Sequence, residues 1–234
     1  MPAHLPLFPL GTVLVPGLVL PLHIFEPRYR ELVADLQDKP EDQRLFGVIA
    51  ARSVEPATLQ GTELPDAGTP ALPARSRFPE LFRVGCTALV QEVTSYDDGR
   101  YDIVAVGQDR FRLVQLLPDA GTSYLTAQVE YLDEPDGEDE VTYLAELVGL
   151  RFAAYRERLR VEQSGVPTDP RVLSYLVAAA AALDLRERQQ LLEAGSTAER
   201  LRAELALLRR EIGLLDAFAA LPAVDLPRAP IAPN

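Results

Sequence analysis

LPLFPLGTVLVPGLVLPLHIFEPRYRELV, residues 5–33, changes its pattern once, and the change sets the expected architecture. As far as Phe25 the apolar residues come in short extended pieces, Leu7–Leu10, Val13–Val15 and Leu18–Leu22, punctuated by Pro6, Pro9, Pro16 and Pro21. Proline lacks a backbone donor, so these pieces suit short strands and sheet edges that stay incompletely paired. From Pro27 the period becomes helical. Proline fits a first helical position, and Tyr29, Leu32, Val33 and Leu36 then recur on one face.

Downstream, β-branched and aromatic runs bounded by turn residues predict strands over 18–25, 45–51, 84–96, 101–106, 110–117 and 123–132. Asp97-Asp98-Gly99 makes a hairpin turn, and Gly107–Arg110 reads as a turn between two strands. Closely spaced strands with one early helix predict a small barrel or pseudo-barrel.

Proline usage divides the chain. Twelve of 20 prolines precede residue 80, whereas between Gly137 and Leu221 only Pro167 and Pro170 occur, so long helices belong to the second half. The acidic stretch Asp133–Glu140 (DEPDGEDE) reads as a junction too polar to pack, and it lacks the spacing of a calcium loop. Helices are predicted from about 138 to 162, from Pro170 behind an Asp169 cap to about 183, from an Asp184/Glu187 capping box to Gly195, and from a Ser196/Glu199 box to about 220. Leu201, Leu205, Leu208, Ile212 and Leu215 form the seam of the last helix. Leu207, Leu214 and Leu221 add a stripe that suits a homodimer. The expected class is α+β: a barrel over 1–135, a helical bundle over 136–221 and a flexible proline-rich tail over 222–234. Residues 53–79, with five prolines and no apolar period, read as a flap.

Charge narrows the partners. Twenty-three cations face 35 anions, a net charge of −12, and residues 1–135 alone carry −8. Nucleic-acid affinity rests on cationic contacts, so DNA and RNA are disfavoured. A single cysteine, Cys86, forms no internal disulfide and no zinc cluster, which fits a reducing cytoplasm. The start has no cationic segment ahead of its apolar residues, and the longest apolar run, 176–183, is too short to span a bilayer. No membrane, metal or cofactor is expected.

Catalytic patterns fail for want of residues. Lys39 is the only lysine and sits in DKPEDQR, away from any Walker A loop and from any serine partner. His4 and His23 are the only histidines, and no G-x-S-x-G elbow is present. His23, among apolar residues, and Cys86, in an apolar strand, both read as structural.

Three stretches carry a resemblance. The opening motif resembles the start of the N-terminal substrate-binding domain of Lon proteases. GQDRFRLVQLL (107–117) resembles that family's glycine, arginine, phenylalanine strand, and LDLRERQQLLEAGSTAERLRAEL (183–205) resembles its helical segment. The match runs from residue 5 to about 215 in family order. It implies a PUA-like β-barrel followed by a helical bundle, in a stand-alone copy without the family's ATPase and serine-lysine peptidase. It also implies recognition of unfolded or tagged polypeptides rather than hydrolysis.

On that basis the expected function is a non-catalytic protein-binding module, or an adaptor in protein quality control. Phe8, Pro16, Leu20, Phe25, Tyr29 and Phe111 are candidate groove residues, and Glu26 with Arg110 is the candidate structural clamp. A small-molecule-binding protein or enzyme using the barrel mouth and the 53–79 flap, with His23 or Glu26, is the alternative. RNA binding, which PUA-like barrels elsewhere perform, stands third.

Overall fold

One continuous strand of 16 residues, β5 (Tyr101–Leu116), ties the sheet together. Its first half pairs antiparallel with β2 (Val19–Ile24) and its second half with β6 (Leu125–Tyr131), while β4 (Val84–Ser95) runs antiparallel along most of its length. β1 (Ala3–Leu10) lies antiparallel to β6 and parallel to β3 (Leu45–Ala50), which pairs with β4. The ladder β5–β4–β3–β1–β6 thus returns to β5 and closes a barrel, with β2 as an added edge. The computed structural model describes residues 3–52, 80–118, 120–137, 140–161 and 165–219, so the 53–79 flap and the 222–234 tail lie outside it.

The expected class is the one observed, with two corrections inside the sheet. The anticipated turn at Gly107–Arg110 is absent: Gly107 pairs with Ala88 in mid-strand, and the register shift between Cys86 and Ala88 leaves the extra residue in β5 between Gly107 and Arg110, with a second shift between Val90 and Glu92. Residues 3–10, read only as an apolar extended piece, form a full strand despite Pro6 and Pro9.

Alternation along the strands separates two cores. Phe8, Ile24, Phe46, Val48, Cys86, Ala88 and Ile103 pack with Tyr29, Leu32, Val33 and Leu36 of α1 (Pro27–Gln37). Leu5, Leu7, Ile49, Ala127 and Val129 converge instead on Phe111. That second core is tight: a Cβ on Gly85 would lie 2.5 Å from both Phe111 Cζ and the Val48 carbonyl oxygen. Because the oxygen is backbone, Gly85→Ala is expected to cost about 1–3 kcal/mol, read as a lowered thermal midpoint.

The second half is helical: α2 (Val141–Arg158), α3 (Pro170–Ala180), α4 (Leu185–Glu193) and α5 (Thr197–Ala219). Asp169 caps α3 by accepting the Val172 N–H at 2.9 Å. The Asp184/Glu187 box closes in both directions, at 2.8 and 3.1 Å. At α5 only one leg is as predicted. Ser196 accepts from the Glu199 N–H, while Glu199 accepts from Gly195 rather than from Ser196. Leu201, Leu208 and Ile212 are buried against α2 and α3, with Leu205 and Leu215 at the margin. Of the dimer stripe, Leu207 packs inward against the interface between the two halves, Leu214 is exposed and Leu221 lies outside the described residues.

Candidate functional site

The loop between β1 and β2 and the face of α3 form the two walls of a cleft of about 390 Å³. The loop wall, Val15–Leu18, lies tightly on β5. Gly17 donates to the Gly107 carbonyl at 2.9 Å, and Gly107 donates back to Leu18 at 2.9 Å. Gly107 is required there, since a side chain would press into the Val15 carbonyl oxygen. Gly17 makes the turn with φ +79°, a region that favours glycine. The helix wall presents Val172, Tyr175, Leu176 and Ala179, with Pro167 just ahead of it.

Beneath the cleft sits a buried ionic cluster that sequence reasoning missed. Glu134 comes from the acidic junction that had been expected to stay unpacked. It is instead drawn inward, because two arginines need a counterion. Arg110 of β5, only 2% exposed, pairs with it. Arg110 also donates to the carbonyls of Leu192 (2.8 Å), Ala194 (2.6 Å) and Asp133 (2.9 Å). Arg200 of α5, fully buried, donates to Leu191 (3.0 Å) and Ser174 (3.0 Å), reaches Glu134 at 3.4 Å and stacks 3.9 Å over the Tyr175 ring. The Tyr175 hydroxyl donates to Glu134 at 2.5 Å, and burial is the main reason that its pKa is raised. Both arginines therefore cap the C-terminal carbonyls of α4, where a cation also meets the negative end of the helix dipole. The cluster joins barrel to bundle, and its Glu134 and Tyr175 form part of the cleft lining.

This corrects the expected clamp. Arg110 is a clamp, but with Glu134. Glu26 accepts from Arg28 at 2.9 Å from its own position ahead of α1. The groove candidates also separate. Phe8, Tyr29 and Phe111 are core: Phe8 stacks on Tyr29 with ring centroids 3.9 Å apart, and Phe111 is fully buried. Leu20 packs partly against the first core. Phe25 is exposed and stacks near His23, outside the cleft lining. Pro16 alone of the six lines the cleft.

A signal for the missed residues was present. Arg200 and Glu204 lie on the same face of α5 as Leu201, Leu208 and Ile212, and charges in an apolar seam are unusual unless paired. The cleft lining is mostly apolar, with Gln108, Asp109, Glu134, Arg171 and the Tyr175 hydroxyl as its polar groups. His23 sits elsewhere, its Nδ1 2.5 Å from Asp102, which also accepts from the Tyr96 hydroxyl at 2.5 Å. The Tyr96 bond, followed by the His23 bond, holds the Asp102 carboxyl below its ordinary pKa. Cys86 is buried, and desolvation pushes its thiol far up, away from the reactive thiolate. Among the described residues no group of His, Cys, Asp and Glu is arranged to hold a metal ion, and no helix is long and apolar enough to cross a membrane.

Residues 4–210 match the model of the ATP-dependent protease La (LON) substrate-binding domain. Lon protease 2 of Herpetosiphon aurantiacus is 30% identical, covering 91% of this chain and 24% of its own length. Lon protease of Escherichia coli is 26% identical, covering 91% and 25%. The chain therefore spans about a quarter of the length of these relatives. Among solved structures, the N-terminal domain of Mycobacterium avium complex Lon protease superposes with a TM-score of 0.62 at 20% identity, covering 88% of this chain and 98% of that one. A Lon N-terminal domain protein from Xanthomonas campestris gives 0.56 at 23% identity, covering 87% and 98%. At these identities the two structures speak for the fold.

Proposed function

Because the chain belongs to the ATP-dependent protease La (LON) substrate-binding domain family, we propose that it is a non-catalytic polypeptide-binding module that holds exposed apolar segments of unfolded chains in the cleft between the β1–β2 loop and α3. The observation that carries this reading is the cleft itself: a mostly apolar lining set against the Arg110–Glu134–Arg200 cluster that ties barrel to bundle. A preformed site loses little entropy on binding, and apolar side chains entering it leave water. An adaptor role in protein quality control follows from the same reading, the module holding a segment for a proteolytic partner.

Val172 tests it. The side chain lines the cleft yet is 54% exposed, so Val172→Gln is expected to shift stability by no more than about 0.5 kcal/mol. Binding of a fluorescein-labelled unstructured apolar peptide, followed by anisotropy, is expected to weaken about tenfold, since burying a valine contributes roughly 1.5 kcal/mol. Unchanged affinity in a folded variant would remove the cleft from the proposal.

A further inference from the structure

A second cleft of about 510 Å³ opens between α2 and α3, and Pro167 lines both it and the first. The two clefts meet at Pro167 and make a track along two sides of α3. Val172 lines the first cleft and Leu150 the second, and both are largely exposed, Leu150 at 71%. Each cleft also carries one carboxylate with no ion-pair partner among the described residues, Asp109 in the first, beside the paired Glu134, and Glu146 in the second. The other charges on the track are already engaged. Glu134 is held by Arg110 and Arg200, and Arg171 bonds the Glu134 carbonyl at 2.6 Å and Asp136 at 3.3 Å. The uncompensated charge along the track is therefore negative, on a chain of net charge −12.

From this charge pattern we infer that the track takes an extended polypeptide segment with an apolar side chain in each cleft and lysine or arginine beside them. The inference rests on the polypeptide-binding reading and narrows its substrate class. A second copy of this chain is the wrong occupant, since two bodies of charge −12 repel. A cationic flank meets Asp109 at one end and Glu146 at the other, and an acidic flank is repelled at both.

Three unstructured peptides with one apolar core and lysine, serine or glutamate flanks, followed by anisotropy, test the inference. The lysine-flanked peptide is expected to bind roughly five- to tenfold tighter than the serine-flanked one and the glutamate-flanked peptide weakest, with the spread shrinking in about 0.5 M salt. The Asp109→Asn/Glu146→Gln double variant is expected to bring the three affinities together. Leu150→Ser is expected to weaken all three severalfold while the chain stays folded. If the three peptides bind alike and Val172→Gln still weakens them, the charge inference is overturned and the polypeptide reading stands. Indifference to Leu150→Ser would reduce the track to one cleft and overturn the two-cleft inference. If no peptide binds, the polypeptide reading fails and takes this inference with it.

Discussion

Arg110→Ala is expected to lower the unfolding free energy by about 3–5 kcal/mol, the range for breaking a buried ion pair by removing one partner. The loss has three parts. Glu134 would remain partly buried with Arg200 at 3.4 Å as its remaining cation. The carbonyls of Leu192 and Ala194, at the end of α4, would lose the donor that caps them, and the Asp133 carbonyl would lose its own. Arg110→Lys is expected to recover little, because a single ammonium cannot serve carbonyls and a carboxylate that lie in different directions as a planar guanidinium does. Urea unfolding gives the measurement, with Glu26→Gln as the contrast. Its partner Arg28 is only half-buried, so that change is expected to cost no more than about 1 kcal/mol. Equal midpoints for the Arg110 and Glu26 variants would show that the cluster does not hold the two halves together.

Replacing Glu204 is expected to act in the opposite direction. The residue is fully buried in α5, and neither carboxyl oxygen has a hydrogen-bond partner. Burial pushes its pKa well above the usual carboxylate range, and the nearby Arg200 pulls it down by less. The folded protein therefore keeps a proton that the unfolded chain gives up at about pH 4.3. Stability from this group is complete below that pH and is lost as the pH rises toward the folded-state pKa. Glu204→Leu removes both the unsatisfied oxygens and the titration. It is expected to stabilise by about 1–3 kcal/mol at pH 7, the range for relieving a buried unpaired polar group. The carboxylates with lowered pKa, Glu31, Asp98, Asp102, Glu187 and Asp216, give their stability above the ordinary carboxylate range and do not mimic the effect at neutral pH. Unfolding measured from pH 5 to 8 is expected to show a gap between variant and parent that widens with pH. Parallel curves would overturn the assignment.

The legibility of this fold follows the distance over which each feature is decided. The helix from Pro27, the Asp169 cap and the Asp184/Glu187 box were readable because each depends on residues three or four apart. The continuity of β5 was not. Gly107 and the polar residues after it look like a turn until β4 with its two register shifts is laid alongside. β1 was obscured for a similar reason, since Pro6 and Pro9 weaken a strand considered alone but are tolerated once β3 and β6 flank it.

The candidate site was harder still. Its family resemblance was visible in three motifs, and the fold class with it. Yet the six apolar groove candidates are chemically alike in a linear chain, and only packing separates Phe8, Tyr29 and Phe111 in the core from Pro16 at the cleft. Sequence alone determined the barrel-then-bundle order, the caps of α3 and α4 and the acidic balance, because local spacing and composition suffice for those. Tertiary structure alone decided that Arg110 meets Glu134 rather than Glu26, that a junction acid turns inward and that α3 faces the β1–β2 loop. These outcomes depend on which of many equivalent charges and apolar side chains the closed barrel brings together, across separations of 24 residues for Arg110 and Glu134 and more than 150 for the cleft walls, which no local pattern encodes.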